Sequence, residues 1–315
     1  MPAARDFAVT ARLATPTAVL MLVLIVVGSI VRTTGSGLSC PDWPLCHGKL
    51  IPPFQFNILM EWFHRLLALL TGVGLFATSA WTFAHREVRA QLGGLAALCL
   101  ALYVSQALLG ALTVWRLLDP SIVSGHLAVA LLLFAALLTV ALVAHHEAVP
   151  EPRPLVRAGG LRTGYALASL AIWAQAVLGG MVSTNHASLA CPDWPTCNGA
   201  WFPPLTGLVG LQVSHRYGAY LLVALLLTLA WHSRRSQDVV VRRLGVALGV
   251  LVLVQAAVGV TNVLLAIPVW VSALHLGLAA VLLALAIAGK FRLSVAVAPA
   301  AAPAAERALR GEVAR

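Results

Sequence analysis

Eight long apolar runs decide what this chain can fold into. They are approximately Pro16 to Val31, Leu66 to Ala84, Leu95 to Val114, Ile122 to Ala144, Gly164 to Val182, Tyr217 to Trp231, Leu244 to Leu265 and Val269 to Gly289. Each is close to the roughly 20 residues a helix needs to cross about 30 Å of hydrocarbon. Only 10% of the 315 residues are charged, and mean hydropathy is +0.90; a soluble domain carries roughly 25% charged residues. The chain therefore reads as an all-α polytopic membrane protein. Residues 1 to 12 lack the small-residue cleavage site that follows a signal peptide's apolar core, so the first run is expected to stay as an anchor.

The formal net charge of +10 could suggest nucleic acid, but its distribution follows membrane topology instead. Arg5, Arg12, Arg86, Arg89, Arg153, Arg157, Arg162, Arg234, Arg235, Arg242, Arg243, Lys290, Arg292, Arg307, Arg310 and Arg315 fall on one side of the eight runs. The other side has Arg32, Lys49 and Arg116, with Arg65 and Arg216 at helix mouths. By the positive-inside rule both termini are cytoplasmic, and the loops of about residues 32 to 61 and 183 to 213 face outward from a bacterial inner membrane. Lipid is the expected surrounding and nucleic acid is excluded. The Ala- and Pro-rich tail after Phe291 reads as a disordered cytoplasmic extension.

The chain also repeats itself. Cys40-Pro41-Asp42-Trp43-Pro44 with Cys46 recurs as Cys191-Pro192-Asp193-Trp194-Pro195 with Cys197, and His64-Arg65 recurs as His215-Arg216, all at an offset of 151. Gln106 with Gly110 recurs as Gln255 with Gly259, and His126 as His275, at an offset of 149. The expected plan is an N-terminal segment (1–15), a four-helix bundle (16–146), a Pro-containing linker (147–163), a second four-helix bundle (164–290) and the tail (291–315). Four spans per half insert both copies the same way up, as parallel repeats about an axis along the membrane normal.

Topology sorts the histidines. His64 and His126 open the second and fourth runs, and His215 and His275 open the sixth and eighth, so all four lie near the outer surface at similar depth. Two histidines per bundle suit two bis-histidine sites, and haem is the natural occupant of such a site between helices. The plainer alternative is a set of helix-end histidines bonded to loops. His85, His145, His146 and His232 sit at cytoplasmic helix ends beside charges and are read as structural. His47 and His186 lie in the outer loops without a repeated counterpart and are read as loop residues, of which only His186 is a candidate for lining a site. Glu61, one helical turn from His64, aligns with Gln212, so only the first half has an ionisable group there. As a base or a stabiliser of developing charge it is the catalytic candidate; capping the helix or pairing with Arg65 is its alternative. Arg65 and Arg216 are candidates for haem propionates or, equally, for interfacial anchors.

Each outer loop holds a cysteine pair with five residues between, and Cys99 is left alone in the third run. On an outer membrane face, Cys40 with Cys46 and Cys191 with Cys197 are expected to form disulfides. Two thiolates fall short of a four-ligand structural zinc site, whereas a redox role for the pairs stays open.

Two four-helix halves, Glu61-x-x-His64-Arg65 opening the second run, matching histidines opening three others, and cysteine pairs in both outer loops together resemble the haem A synthase family. The resemblance covers about residues 16 to 290. It implies oxidation of the C8 methyl group of haem O to a formyl group by successive hydroxylations, giving haem A for cytochrome oxidase. It also implies a resident haem B on His215 and His275, with the substrate haem handled by His64 and His126. Further partners to consider are a haem O synthase, an electron acceptor and a second copy of the chain. The competing readings are a bis-histidine cytochrome b electron carrier, which has no need of an acid beside a ligand, and a repeat-built transporter. A transporter would break its helices near the midplane, whereas here the polar cluster lies at the outer edge.

Overall fold

A computed structural model describes residues 2–149 and 159–295. Among them are eight α-helices: α1 (Pro2–Thr33), α2 (Phe56–Ala84), α3 (Arg86–Trp115), α4 (Pro120–Ala148), α5 (Gly159–Thr184), α6 (Gly207–Ser233), α7 (Val239–Leu264) and α8 (Val269–Val295). All eight are long and apolar enough to cross a membrane. No strand occurs among the described residues. The tail beyond residue 295 and the linker residues 150–158 lie outside them.

The helices pack in two rings. In the first, α1 and α3 each contact α2 and α4; in the second, α5 and α7 each contact α6 and α8. The rings meet where α1 touches α8 and α4 touches both α5 and α8. One apolar core runs through both, from Phe7, Ala11 and Ala14 on α1 through Leu133, Phe134 and Leu137 on α4 to Ile172 on α5 and Leu282 and Leu283 on α8.

Two expectations from the hydropathy pattern need correction. Residues 2–15 are not a separate N-terminal segment but the first half of α1, where Phe7 and Ala11 are buried and the Asp6 carbonyl accepts from Trp81 Nε1 at 3.1 Å. Likewise α2 starts at Phe56 rather than near Leu66, and α6 at Gly207 rather than near Tyr217. His64 and His215 thus sit two turns inside their helices, about 12 Å from the first residue at 1.5 Å per residue. Hydropathy missed these turns because they carry Glu61, Arg65 and Arg216, whose polar groups are satisfied by the loops that precede α2 and α6.

The repeat extends to backbone conformation. Left-handed φ occurs at Gly35 and His186, at His47 and Asn198, at Leu117 and Ala266, and at Leu118 and Ile267, each pair at one of the two sequence offsets. His47 and His186 therefore do have counterparts, in position if not in residue type. The connections into α4 and α7 are closed by side chains: Asp119 accepts from the amides of Ser121 and Ile122, and Asp238 from that of Val240. Asp238 also receives Arg292 Nε at 2.6 Å, joining the start of α7 to the end of α8.

Candidate functional site

The loops between α1 and α2 and between α5 and α6 are compact because one aspartate organises each. Asp42 accepts from the amides of His47 (2.6 Å) and Gly48 (2.7 Å), and Asp193 from those of Asn198 (2.7 Å) and Gly199 (3.1 Å). The Gly48 amide, with that of His47, holds the Asp42 carboxyl below its ordinary range. The Thr196 hydroxyl, then the Gly199 and Asn198 amides, depress Asp193 further still. His47 Nε2 lies 2.8 Å from the Ser39 carbonyl, and Asn198 Nδ2 donates to the equivalent Ala190 carbonyl at 3.0 Å. His47 is thus a loop-closing residue that asparagine replaces in the second half. The sulfurs of Cys40 and Cys46 are 1.99 Å apart and those of Cys191 and Cys197 1.94 Å. These buried cystines rest on Ile58 and Trp62 of α2, and on Val209, Val213 and Tyr217 of α6. Cys99 is buried and unpaired.

Arginines tie these loops to the helices. Arg65 Nη1 donates to the Asp42 (2.6 Å) and Leu45 (2.7 Å) carbonyls, and Nη2 to the Cys40 carbonyl (3.0 Å) and Glu61 Oε1 (2.5 Å). Of its five N–H donors only Nε–H is left. Glu61, 4% exposed, receives the Cys40 amide on Oε2 at 2.8 Å, so both its oxygens are engaged. Arg216 repeats two of the carbonyl bonds, to Thr196 (2.9 Å) and Cys191 (2.6 Å), but has Gln212 where Arg65 has Glu61. Gln212 donates to the Ser188 carbonyl at 3.2 Å while its Oε1 is buried without a partner. The second half therefore carries a guanidinium with no carboxylate within ion-pair distance among the described residues.

Below the loops, each of the four histidines lies against a glycine of a neighbouring helix. A Cβ at Gly28 would meet His64 Cε1 at 3.0 Å, at Gly110 His126 Cε1 at 3.5 Å, at Gly179 His215 Cε1 at 2.8 Å, and at Gly259 His275 Cε1 at 2.8 Å. The missing side chain lets the imidazole lie against the helix backbone and fixes where the ring stands. In His64, His126 and His275 the Nδ1 atom is buried without a partner. Nε2 of the same rings has no hydrogen-bond partner among the described residues either, and all of these rings border the space in front of them. That space is a cavity of about 1070 Å³ reached by all four imidazoles and walled mostly by apolar side chains of both halves, with Glu61, Arg32, Arg65, Arg216 and His186 on its lining. The pairs Gly28 and Gly179 escaped the sequence reading although they share the offset of 151.

Glutamines brace the histidine helices. Gln106 donates to the His126 carbonyl (2.8 Å) and Gln255 to that of His275 (3.0 Å). Gln175 does more: its Nε2 donates to the His215 carbonyl at 2.7 Å and lies 2.9 Å from His215 Nδ1. The equivalent position in the first half is Leu24, so His64 lacks that support. His85, His145 and His232 stay apart from the cavity. His85 stacks on Trp81 and His145 Nε2 is 3.0 Å from Thr15 Oγ1, while His232 ends α6.

Comparison with known sequences is decisive here. The profile of the COX15-CtaA family, described as cytochrome oxidase assembly proteins, matches residues 11–57 and 53–287. The chain belongs to this family. Among its relatives, the protein named heme A synthase from Symbiobacterium thermophilum is 36% identical over 226 residues, covering 69% of this chain and 73% of the relative. The heme A synthase of Halalkalibacterium halodurans is 31% identical over 268 residues, covering 83% and 89%. That of a Methylobacterium species (strain 4-46) is 31% identical over 323 residues, covering 86% and 88%. The family relationship makes haem-related chemistry the context in which the four histidines are to be read. The residues fit a haem: four glycine-set imidazoles around an apolar cavity suit a flat, hydrophobic macrocycle. Among the described residues no three metal-ligating side chains converge, as a bare metal ion would require.

Proposed function

We propose that this chain is a haem A synthase: a membrane oxidoreductase that converts a methyl group of haem O to the formyl group of haem A. The observation that carries the reading is that four imidazoles, each seated on a glycine of the neighbouring helix, line one largely apolar cavity. The N-terminal half takes the substrate haem between His64 and His126. The C-terminal half keeps a haem B on His215 and His275, and when bound this group supplies one-electron redox chemistry. Support for placing the resident group there comes from Gln175, whose side-chain amide lies 2.9 Å from His215 Nδ1: turned so that Oε1 faces the ring, it accepts from Nδ1–H and leaves Nε2 for the iron, whereas the equivalent position beside His64 is Leu24. Arg216, with no carboxylate within ion-pair distance among the described residues, is the propionate contact of that half. Arg65 is instead committed to the loop and to Glu61. The two halves are parallel repeats related by an axis along the membrane normal, both termini are cytoplasmic and the cystine loops lie on the outer face of the bacterial inner membrane.

Glu61 is the proton acceptor for the substrate half. Oxidising a methyl group releases protons as well as electrons, and the one carboxylate on the cavity lining lies one turn from His64. Its bonds to the Cys40 amide and Arg65 position it and leave lone pairs for a further donor. Glu61→Gln keeps the size and removes the charge. It is expected to retain haem while product analysis finds haem O or a hydroxylated intermediate in place of haem A. A normal haem A yield would reduce Glu61 to a loop clamp.

A further inference from the structure

One further cation, Arg32, lines the cavity. Arg32 closes α1 one turn beyond Gly28, so it lies on the helix face that meets His64, outward of the ring. It is partly buried, lines the cavity, and makes one hydrogen bond: Nη1 donates to the Ser183 carbonyl at 3.1 Å. Ser183 is the residue that occupies the position of Arg32 in the second half, 151 residues on, so the guanidinium crosses the seam between halves and has no twin. Among the described residues no carboxylate stands within ion-pair distance of it, and its other N–H donors have no protein acceptor. A guanidinium kept out of bulk water with donors unused is an incomplete anion site.

The remaining cations on the cavity lining are accounted for. Arg65 is neutralised by Glu61, Lys49 is exposed on the loop, and Arg216 belongs to the second half. On the cavity lining each half therefore presents one guanidinium without a carboxylate at ion-pair distance: Arg216 where Glu61 is replaced by Gln212, and Arg32 where the second half has Ser183.

We propose that Arg32 binds a propionate carboxylate of the haem substrate in the N-terminal half and so orients the macrocycle within that half. This rests on the substrate assignment made above. It adds a residue that discriminates between the acid and neutral forms of the ligand and that sets which edge of the porphyrin faces outward.

The test uses the full-length purified protein carrying its resident haem, titrated with haem O and with haem O dimethyl ester and followed in the Soret band. Wild type is expected to bind the free acid about tenfold or more tightly than the ester, as a hydrogen bond to a charged partner provides. Arg32→Gln keeps an N–H for the Ser183 carbonyl but not the charge. It should bind the ester as wild type does and lose the preference for the acid, and Arg32→Lys should recover part of it. If Arg32→Gln keeps the wild-type preference, or loses the ester as well as the acid, the carboxylate contact is wrong. If the preference is instead abolished by Arg216→Gln alone, the contact belongs to Arg216. If wild type binds neither compound, it is the substrate assignment that fails, a result distinct from any failure of Arg32.

Discussion

The glycines under the histidines offer a graded test, because the structure ranks them. An alanine Cβ at Gly179 or Gly259 would stand 2.8 Å from the Cε1 of His215 or His275, whereas at Gly110 it would stand 3.5 Å from that of His126, an ordinary contact. At the first two positions the ring must retreat by about 0.6 Å or the helices must part, and overpacking of that kind costs about 1 to 3 kcal/mol. At Gly110 nothing is pushed, and alanine should gain up to about 1 kcal/mol in helix propensity. Gly28, at 3.0 Å from His64, falls between. Haem per polypeptide and the optical spectrum of purified Gly179→Ala, Gly259→Ala, Gly28→Ala and Gly110→Ala read the effect on the ligands, and thermal unfolding reads the effect on the fold. The first two should lose haem or show an altered ligand-field spectrum, with Gly110→Ala equal to wild type. The comparison within the repeat is the sharpest, since Gly110 and Gly259 are equivalent positions. If Gly110→Ala loses as much haem as Gly259→Ala, or if all four variants bind normally, the glycines do not set the rings.

Three further outcomes follow from the loops and the helix ends. Replacing Cys40 and Cys46 together by alanine should lower stability by about 2 to 3 kcal/mol through lost loop closure, with a smaller effect on turnover; thermal unfolding beside product assays checks this. Asp42 and Asp193 have folded pKa values below their unfolded ones, so the stabilisation each gives is present above about pH 4, the unfolded aspartate value, and is lost as pH falls through the folded value. Carbon-13 NMR of labelled aspartate should show both carboxyls ionised at pH 4, with Asp193 the later to protonate because Thr196 adds a hydrogen bond. Asp238→Ala removes both the cap on α7 and the partner of Arg292, and should cost about 3 kcal/mol without changing the spectrum of bound haem.

The sequence alone determined the helical class, the eight spans, the duplication, and the four repeated histidines and Glu61 that line the cavity. Apolar runs of membrane-spanning length admit few other solutions, and a repeat of Cys-Pro-Asp-Trp-Pro and His-Arg at one offset is visible without coordinates. What it could not decide was anything held by contacts between distant segments. Helix α2 begins ten residues ahead of its apolar run because Glu61 and Arg65 bond to the loop around Cys40, and hydropathy counts such residues as breaks. His47 seemed to lack a counterpart because its work, reaching the Ser39 carbonyl, can be done equally by the amide of Asn198. The difference between Arg65 and Arg216 was legible only once it was clear which of them has a carboxylate at hand. The seating of the imidazoles on Gly28, Gly110, Gly179 and Gly259, and the reach of Arg32 to Ser183, depend on which helices pack side by side. That choice is made by the whole buried surface at once, and no local stretch of sequence contains it.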